Sequence, residues 1–398
     1  MKWETLLLTD DHLERGMTAI GERFSQTFSG DIPHLAILFI CGYDRSEIKQ
    51  LMQLIPTCLK AKQWLGCLSG GVIGQGRELE NKKAISISMA HLPQVTIQPF
   101  HIAAQSFDDP QSALETLNNQ IDTTHTKPHF ILLSDPFTFD IETLLTALDL
   151  GFPDSIKMGG LVSGGRKPGD HIMLVNDRIY QTGLVGVALS GALQIHPLVS
   201  QGCRPIGLPM FVTASKHHLI YELDNNSPIE ALRQIFETLS EPDQELFQQA
   251  LTLGIATTKQ RETLYSGDFL IRQIIGGEPS TGHLAIAATI APYQVVQFHL
   301  RDPLASRKEL DTLLKRFAHG QTGQPLPIGG LMFSCLSRGK ELFGLANHDS
   351  NLFHDTLGPL PLGGFFCHGE IGPIHGKTFL HGATSAFCLI SPSIGEPP

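Results

Sequence analysis

One arrangement occurs three times along this chain, and it constrains the fold more than any single motif. The apolar run HLAILFICGYD is followed by RSEIKQLMQLIP, then the Gly-rich WLGCLSGGVIGQG, then KAISISMA. The same order returns in HFILLSDP, IETLLTALDLGFP, IKMGGLVSGG and GLVGVALSG, and again in GGLMFSCLSRG, NLFHDTLGP, LGGFFCHGEIG and GATSAFCLI. Leu35 and Gly66 are 31 residues apart, Phe130 and Gly159 are 29 apart, and Leu331 and Gly363 are 32 apart. A fixed order at near-constant spacing is the mark of one supersecondary unit used repeatedly. Here that unit reads strand, helix, Gly-rich strand or turn, strand.

Helix signals lie around these units. Leu13, Met17, Ile20 and Phe24 form one apolar face near the start. Ser227-Pro228-Ile229-Glu230 joins an N-cap serine, proline at the first helical position and a capping-box glutamate. Ile229, Leu232, Phe236 and Leu239 follow at helical spacing, and the polar stretch from about 227 to 262 reads as helical throughout. Ser306-Arg307-Lys308-Glu309 repeats the capping box ahead of Leu310, Leu313, Leu314 and Phe317. Alternation marks strands in Ala84–Met89 and Val295–Leu300. The expected fold class is therefore α/β (mixed α+β): two related strand-rich domains built from the repeated unit, with sheets packed centrally and helices outside. A boundary falls near Asn225, where the paired strands of QGCRPIGLPMFVTASKHHLIYELD end.

Composition excludes several functions. With 398 residues, 41% apolar, the chain can bury a large core. A net charge of −10 without any basic run argues against nucleic acid as a partner. No apolar run approaches the roughly 18 residues that a membrane span requires, so no membrane partner is expected. Seven scattered cysteines with no CxxC pair suit a reduced, cytoplasmic protein.

The densest polar stretch is GGFFCHGEIGPIHGKTFLHGATSAF, residues 363 to 387. Its Gly372–Thr378 run ends in GKT but has three residues between the glycines where a Walker A loop needs four, and no helical pattern follows. Its cysteine and histidines lack zinc spacing, so no metal and no cofactor is expected. If the segment is extended, Cys367 faces away from His368, while His368 and Glu370 share a face. The Gly doublets at strand ends read as close backbone packing before they read as ligand loops. Cys335, in SCLSRG beside Arg338, is the cysteine whose setting could lower a thiol pKa. Arg204, Arg301 and Arg338 each sit at a strand end, where a guanidinium suits bidentate carboxylate recognition.

QGCRPIGLPMFVT, GGLMFSCLSRGKELFG and above all PLGGFFCHGEIGPIHGKTFLHGATSAFCL resemble the FIST family. The resemblance covers nearly the whole chain: a lead-in over 1–32, an N-terminal FIST domain over 33–224 and a C-terminal FIST domain over 225–398. It implies a bacterial, stand-alone sensory protein that binds a small ligand such as an amino acid and signals through a downstream partner, with no established catalysis. The ligand site expected from the residues comprises Cys203, Arg204, Arg301, Asp302, Cys335, Arg338, Cys367, His368, Glu370 and His381. Two rivals remain open. One is a cysteine-dependent enzyme using Cys335 or Cys367 with His368, His375 or His381 as base; the other is a protein-interaction scaffold or adaptor.

Overall fold

The computed structural model describes residues 1–9, 12–122, 127–257, 264 and 266–393. The chain forms two compact units that interleave in sequence. One comprises Met1–Val199, Asp311–Leu380 and the chain from Ser385 onward; the other comprises Ser200–Leu310 and His381–Thr384.

The first unit holds three six-stranded mixed sheets of identical plan. The first repeat runs strand Lys2–Leu8, helix Leu13–Thr27, strand Leu35–Cys41, helix Arg45–Cys58, strand Gln63–Ser69, hairpin Gly71–Gly74/Arg77–Glu80 and strand Ala84–His91. The second follows the same order from Val95–Ile102 to Leu184–Gly191. The third starts with Leu193–Ser200 and resumes at helix Pro303–Gly320, ending at Ser385–Pro392. Within each repeat the strands flanking the second helix are parallel: Leu35–Cys41 with Gln63–Ser69, His129–Ser134 with Lys157–Leu161, and Gly329–Cys335 with Leu362–Cys367.

The hairpins do not stay in their own sheets. Gly71–Gly74 pairs with Leu362–Cys367 of the third repeat, Glu370–Ile374 pairs with Lys157–Leu161 of the second, and Met173–Val175 pairs with Gln63–Ser69 of the first. Each repeat thus lends its hairpin to another, in one direction around a ring. The central core draws on all three sheets, with Phe39 stacked on Phe365 at 4.7 Å and Phe333, Leu133, Met158 and Cys67 around them. Helices cover the outer faces; Leu13, Met17, Ile20 and Phe24 of the first helix are all buried there.

The same physical demand explains the glycines. Gly66, Gly159 and Gly364 sit opposite Leu38, Leu132 and Met332 in the three parallel pairs. A Cβ at these positions would stand 2.5, 1.9 and 2.0 Å from the carbonyl oxygen of the facing residue. No side chain fits there, so the Gly-rich segment of the repeat is a packing requirement.

The second unit is a closed six-stranded barrel, in the order Cys203–Lys216, Leu219–Leu223, His283–Ile286, Phe269–Glu278, Leu251–Ala256, Val295–Arg301. Val212, Ile220, Leu253, Ile255, Ile286, Phe298 and Leu300 fill its core. Two expectations are corrected here. The helical stretch from 227 ends earlier, as helices Pro228–Thr238 and Glu241–Ala250, and gives way to strand Leu251–Ala256; residues 258–263 lie outside the described residues. The helix expected to be capped by Ser306 begins at Pro303, because Asp302 precedes a proline fit for the first helical position. Asp302 Oδ1 accepts the backbone N–H groups of Leu304 and Ala305 at 2.8 and 3.2 Å. Among the described residues no helix is long and apolar enough to cross a membrane.

Candidate ligand site

The ten residues singled out from the sequence divide between the units: Cys335, Arg338, Cys367, His368 and Glu370 lie in the three-sheet unit, and Cys203, Arg204, Arg301, Asp302 and His381 lie in the barrel unit.

In the three-sheet unit, the Gly-rich turns leave the C-terminal ends of the parallel strands, the end where open α/β sheets place ligands. There they are tied together. Ser163 Oγ accepts the Gly70 N–H at 2.9 Å and donates to the Phe366 carbonyl. The N–H of His368 donates to the Leu161 carbonyl at 3.1 Å, and that of Leu161 to the Gly369 carbonyl at 2.8 Å. Strand Leu362–Cys367 ends before His368, and a new strand starts at Glu370. The bend resets the alternation, so His368 and Glu370 do not share a face as expected. His368 is exposed, whereas Glu370 is fully buried. The Cys367 thiol stands 3.3 Å from Glu370 Oε1 and 3.3 Å from the Ser334 carbonyl. Burial, reinforced by Glu370, pushes this thiol well above the usual cysteine range. Cys367 is therefore a hydrogen-bond donor in the core, the opposite of an activated nucleophile.

Cys335 lies beside Cys367 in register, its sulfur 3.0 Å from Ser337 Oγ. Arg338, expected to act on that thiol or on a ligand, is fully buried and aims its guanidinium at Asp349, with Nε to Oδ2 at 2.8 Å and Nη2 to Oδ1 at 3.2 Å. His348 Nδ1 lies 2.8 Å from the same carboxylate. Burial alone would raise Asp349, but Arg338 and the His348 hydrogen bond outweigh it and hold the carboxyl below its usual range. Glu78 completes the cluster, accepting the Ser350 N–H at 2.7 Å. Burial and then the charge of Asp349 raise it to about 7. Sequence reading missed Glu78, Asp349 and His348; the available signal was an acid at the start of a helix, in NHDSN. It also missed His171, whose Nδ1 is 2.6 Å from Asp135 Oδ1 with both side chains fully buried.

The GKT run is a hairpin turn. His375 and Gly376 adopt φ of 49° and 78° between the strands Glu370–Ile374 and Lys377–His381. Thr378 gives its N–H and hydroxyl to Asp149, which also holds the buried Lys157 at 2.9 Å.

In the barrel, antiparallel pairing sets Cys203 directly opposite Arg301 and Pro205 opposite His299, so these side chains share one face. Thr252 and Gly254 of the next strand face His299 and Gln297. Arg204 points to the other side and is held by Asp302 at 3.1 Å and Asp243 at 2.5 Å. Its guanidinium is thus matched by the protein's own carboxylates. His381, the last residue of its strand, is buried in the same unit.

His299, not singled out from the sequence, is fully buried, and burial lowers its pKa to about 4. Its Nδ1 lies 3.0 Å from the Gln297 carbonyl, and its Nε2 has no hydrogen-bond partner. Gln201 Nε2 donates to the Phe269 carbonyl at 2.5 Å, leaving Gln201 Oε1 without a donor. A lone buried histidine in a strand carries no spacing signal, which is why the sequence did not mark it.

Comparison with known proteins places this chain in a wider set. A model of the FIST N domain matches residues 34–226, and one of the FIST C domain matches residues 228–373. The uncharacterized protein Rv0628c of Mycobacterium tuberculosis is 35% identical over 364 residues, 92% of this chain and 93% of that protein. The uncharacterized protein Mb0898c of Mycobacterium bovis is 33% identical over 382 residues, 96% of each. The F-box/LRR-repeat protein At5g63520 of Arabidopsis thaliana is 26% identical over 136 residues, 31% of this chain and 26% of that protein.

Proposed function

The chain belongs to the FIST family, and on that premise we propose that it is a cytoplasmic sensory protein whose ligand is an amino acid or a related small acid. FIST domains are generally associated with sensory signal transduction and small-ligand binding. The observation that carries the finer reading is the barrel face on which Arg301 stands among Cys203, His299 and Gly254. An arginine fork matches a carboxylate bidentately, and a ligand of this size is fixed by a few polar groups set in an otherwise apolar wall; Phe269, Ile271 and Cys203 form such a wall.

Cys335, Arg338, Cys367 and Glu370 then serve as framework, since Cys335 is directed at Ser337, Arg338 at Asp349, and Cys367 at Glu370. The signal passes to a partner protein, whose contact surface is a separate question from the ligand site. Cysteine catalysis is the weaker reading, because Cys367 donates its proton inside the core.

Thermal-shift measurement against the common amino acids and small carboxylic acids tests this. A binder present at one hundred times its Kd stabilises the chain by about 2.7 kcal/mol, and Arg301→Met removes that gain. No shift with any of these compounds overturns the reading.

A further inference from the structure

We propose that residues 339–347 form a strap that opens as the pH rises, and that Glu78 is the group that releases it. The proposal stands apart from the barrel face, because every residue it uses lies in the three-sheet unit.

The strap lies along the edge of the third sheet. That sheet ends on strand Arg77–Glu80, and among the described residues no further strand pairs with its outer side. The strap supplies partners there instead. Asn347 Oδ1 accepts the Glu78 N–H at 2.7 Å, and the Lys340 N–H donates to Glu80 Oε1 at 2.9 Å. Its middle is one short helix, Lys340–Phe343, flanked by Gly339 and Gly344, each with a φ of 67°. Glycine takes that conformation without strain, so the strap has a hinge on each side of its helix. Phe343 lies flat on His348 with ring centroids 3.5 Å apart, and the Arg338 guanidinium stands 5.4 Å from the same ring.

Beneath the strap the charges do not balance. Glu78 is buried, and its carboxyl accepts the Ser350 N–H at the start of helix His348–Leu357. The same helix brings up Asp349 with His348 bonded to it, and sets His354 against the hairpin turn at Gly76. Arg338 comes from the segment ahead of the strap, and Glu80 from the strand of Glu78 itself. The pairing strand, Gly71–Gly74, brings no charge. Arg338 directs Nε and Nη2 at Asp349, and among the described residues no ion pair reaches Glu78. Two buried carboxyl groups therefore share one guanidinium. A buried carboxyl without a counter-ion is favoured as the neutral acid, which accords with a Glu78 raised to about 7 by burial and by Asp349.

The strap leads straight into the turn whose Ser350 N–H covers this carboxyl, so opening it admits water. Once wetted, Glu78 returns toward its ordinary value of 4.5. Between 4.5 and about 7 the closed state thus binds more protons than the open one. Closure is fully favoured below that window, weakens as the pH rises through it, and levels off above. The proton on Glu78 biases a hinged segment between two positions, which is how a buried acid becomes a switch.

Hydrogen exchange of the full chain, read by mass spectrometry on peptides covering 76–82 and 338–351, tests this. Labelling times are scaled for the intrinsic exchange rate at each pH. The strap should open about tenfold more at pH 8 than at pH 6, with no further rise at pH 9. Helix Leu13–Thr27, in the same unit, should keep its protection throughout. Glu78→Gln keeps an oxygen for the Ser350 N–H but cannot ionise, so it should abolish the tenfold change. Equal strap protection at pH 6 and pH 8 overturns the proposal. A tenfold change that persists in Glu78→Gln overturns it too, since another group is then the trigger. Parallel loss in helix Leu13–Thr27 has the same consequence, because the whole unit is then loosening. The pH comparison and the helix reference need no variant, so they decide the matter even if Glu78→Gln fails to fold.

Discussion

In the three-sheet unit, Arg338 meets Asp349 with two of its nitrogens, Asp135 meets His171, and Lys157 meets Asp149. In the barrel, His299 Nε2 and Gln201 Oε1 are buried with no donor to meet them. Both regions bury polar groups, yet in these three pairs of the first each carboxylate is met by an arginine, a histidine or a lysine. A closed network of this kind fixes geometry and has nothing to offer a ligand. An open one is costly until something completes it. The contrast is one between particular networks and not between whole units, since the three-sheet unit also buries polar atoms without a partner, His91 Nδ1 and His354 Nε2 among them.

The largest test of this contrast breaks the closed network. Asp349→Ala leaves the Arg338 guanidinium buried without its partner, and the expected loss is about 3–5 kcal/mol, read from urea unfolding. A loss under about 1 kcal/mol would sink the framework reading, since exposed pairs behave that way.

Next in size is a pH effect at Glu78. Folded Glu78 keeps its proton up to about pH 7, whereas its ordinary value is 4.5. Between those values the native state binds more protons than the unfolded one, so this group's contribution falls as pH rises and levels off above 7. Glu78→Gln removes the titration while keeping an oxygen for the Ser350 N–H. The variant's stability relative to the parent should therefore climb from pH 5 to pH 8, by on the order of 1–3 kcal/mol. Unfolding curves for both proteins at pH 5, 6, 7 and 8 check this, and a flat difference would show that Glu78 does not titrate in that window.

The smallest effect belongs to the open network. His299→Leu in the unliganded chain removes an unsatisfied acceptor along with one hydrogen bond, so it should cost about 1 kcal/mol or less. If it costs as much as Asp349→Ala, the barrel network is closed in solution and the comparison fails.

Much of the architecture was legible because it rests on packing that leaves a trace in the chain. Gly66, Gly159 and Gly364 recur because three backbones must pass close to a facing carbonyl, and the near-constant spacing follows from three strand–helix–strand units of one size. The first helix was marked by four apolar residues, all buried. Other features left no such trace. The barrel is inserted within the third repeat, between Ser200 and Pro303, and its strand Leu251–Ala256 follows directly on a helix with no turn residue between them. The partnership of Cys367 with Glu370 depends on a bend at His368 and Gly369, which cancels the two-residue alternation. Asp302 looked like a ligand group because it follows Arg301; it is the acid that opens a helix and balances Arg204. His299 was invisible because its significance lies in a missing partner.

The ring of lent hairpins has a consequence for how the molecule comes into being. The first sheet cannot be finished until Met173–Tyr180 has been made, and the second waits for Glu370–His381, near the far end of the chain. No repeat can leave the ribosome as an independent folding unit, because each lacks two strands that arrive later or belong elsewhere. Long-range pairings of this kind slow folding and leave strand edges exposed in the interval. The order of synthesis thus holds the ring open until its last link, and a chain cut between residues 192 and 369 would be left with strands missing from two of its three sheets.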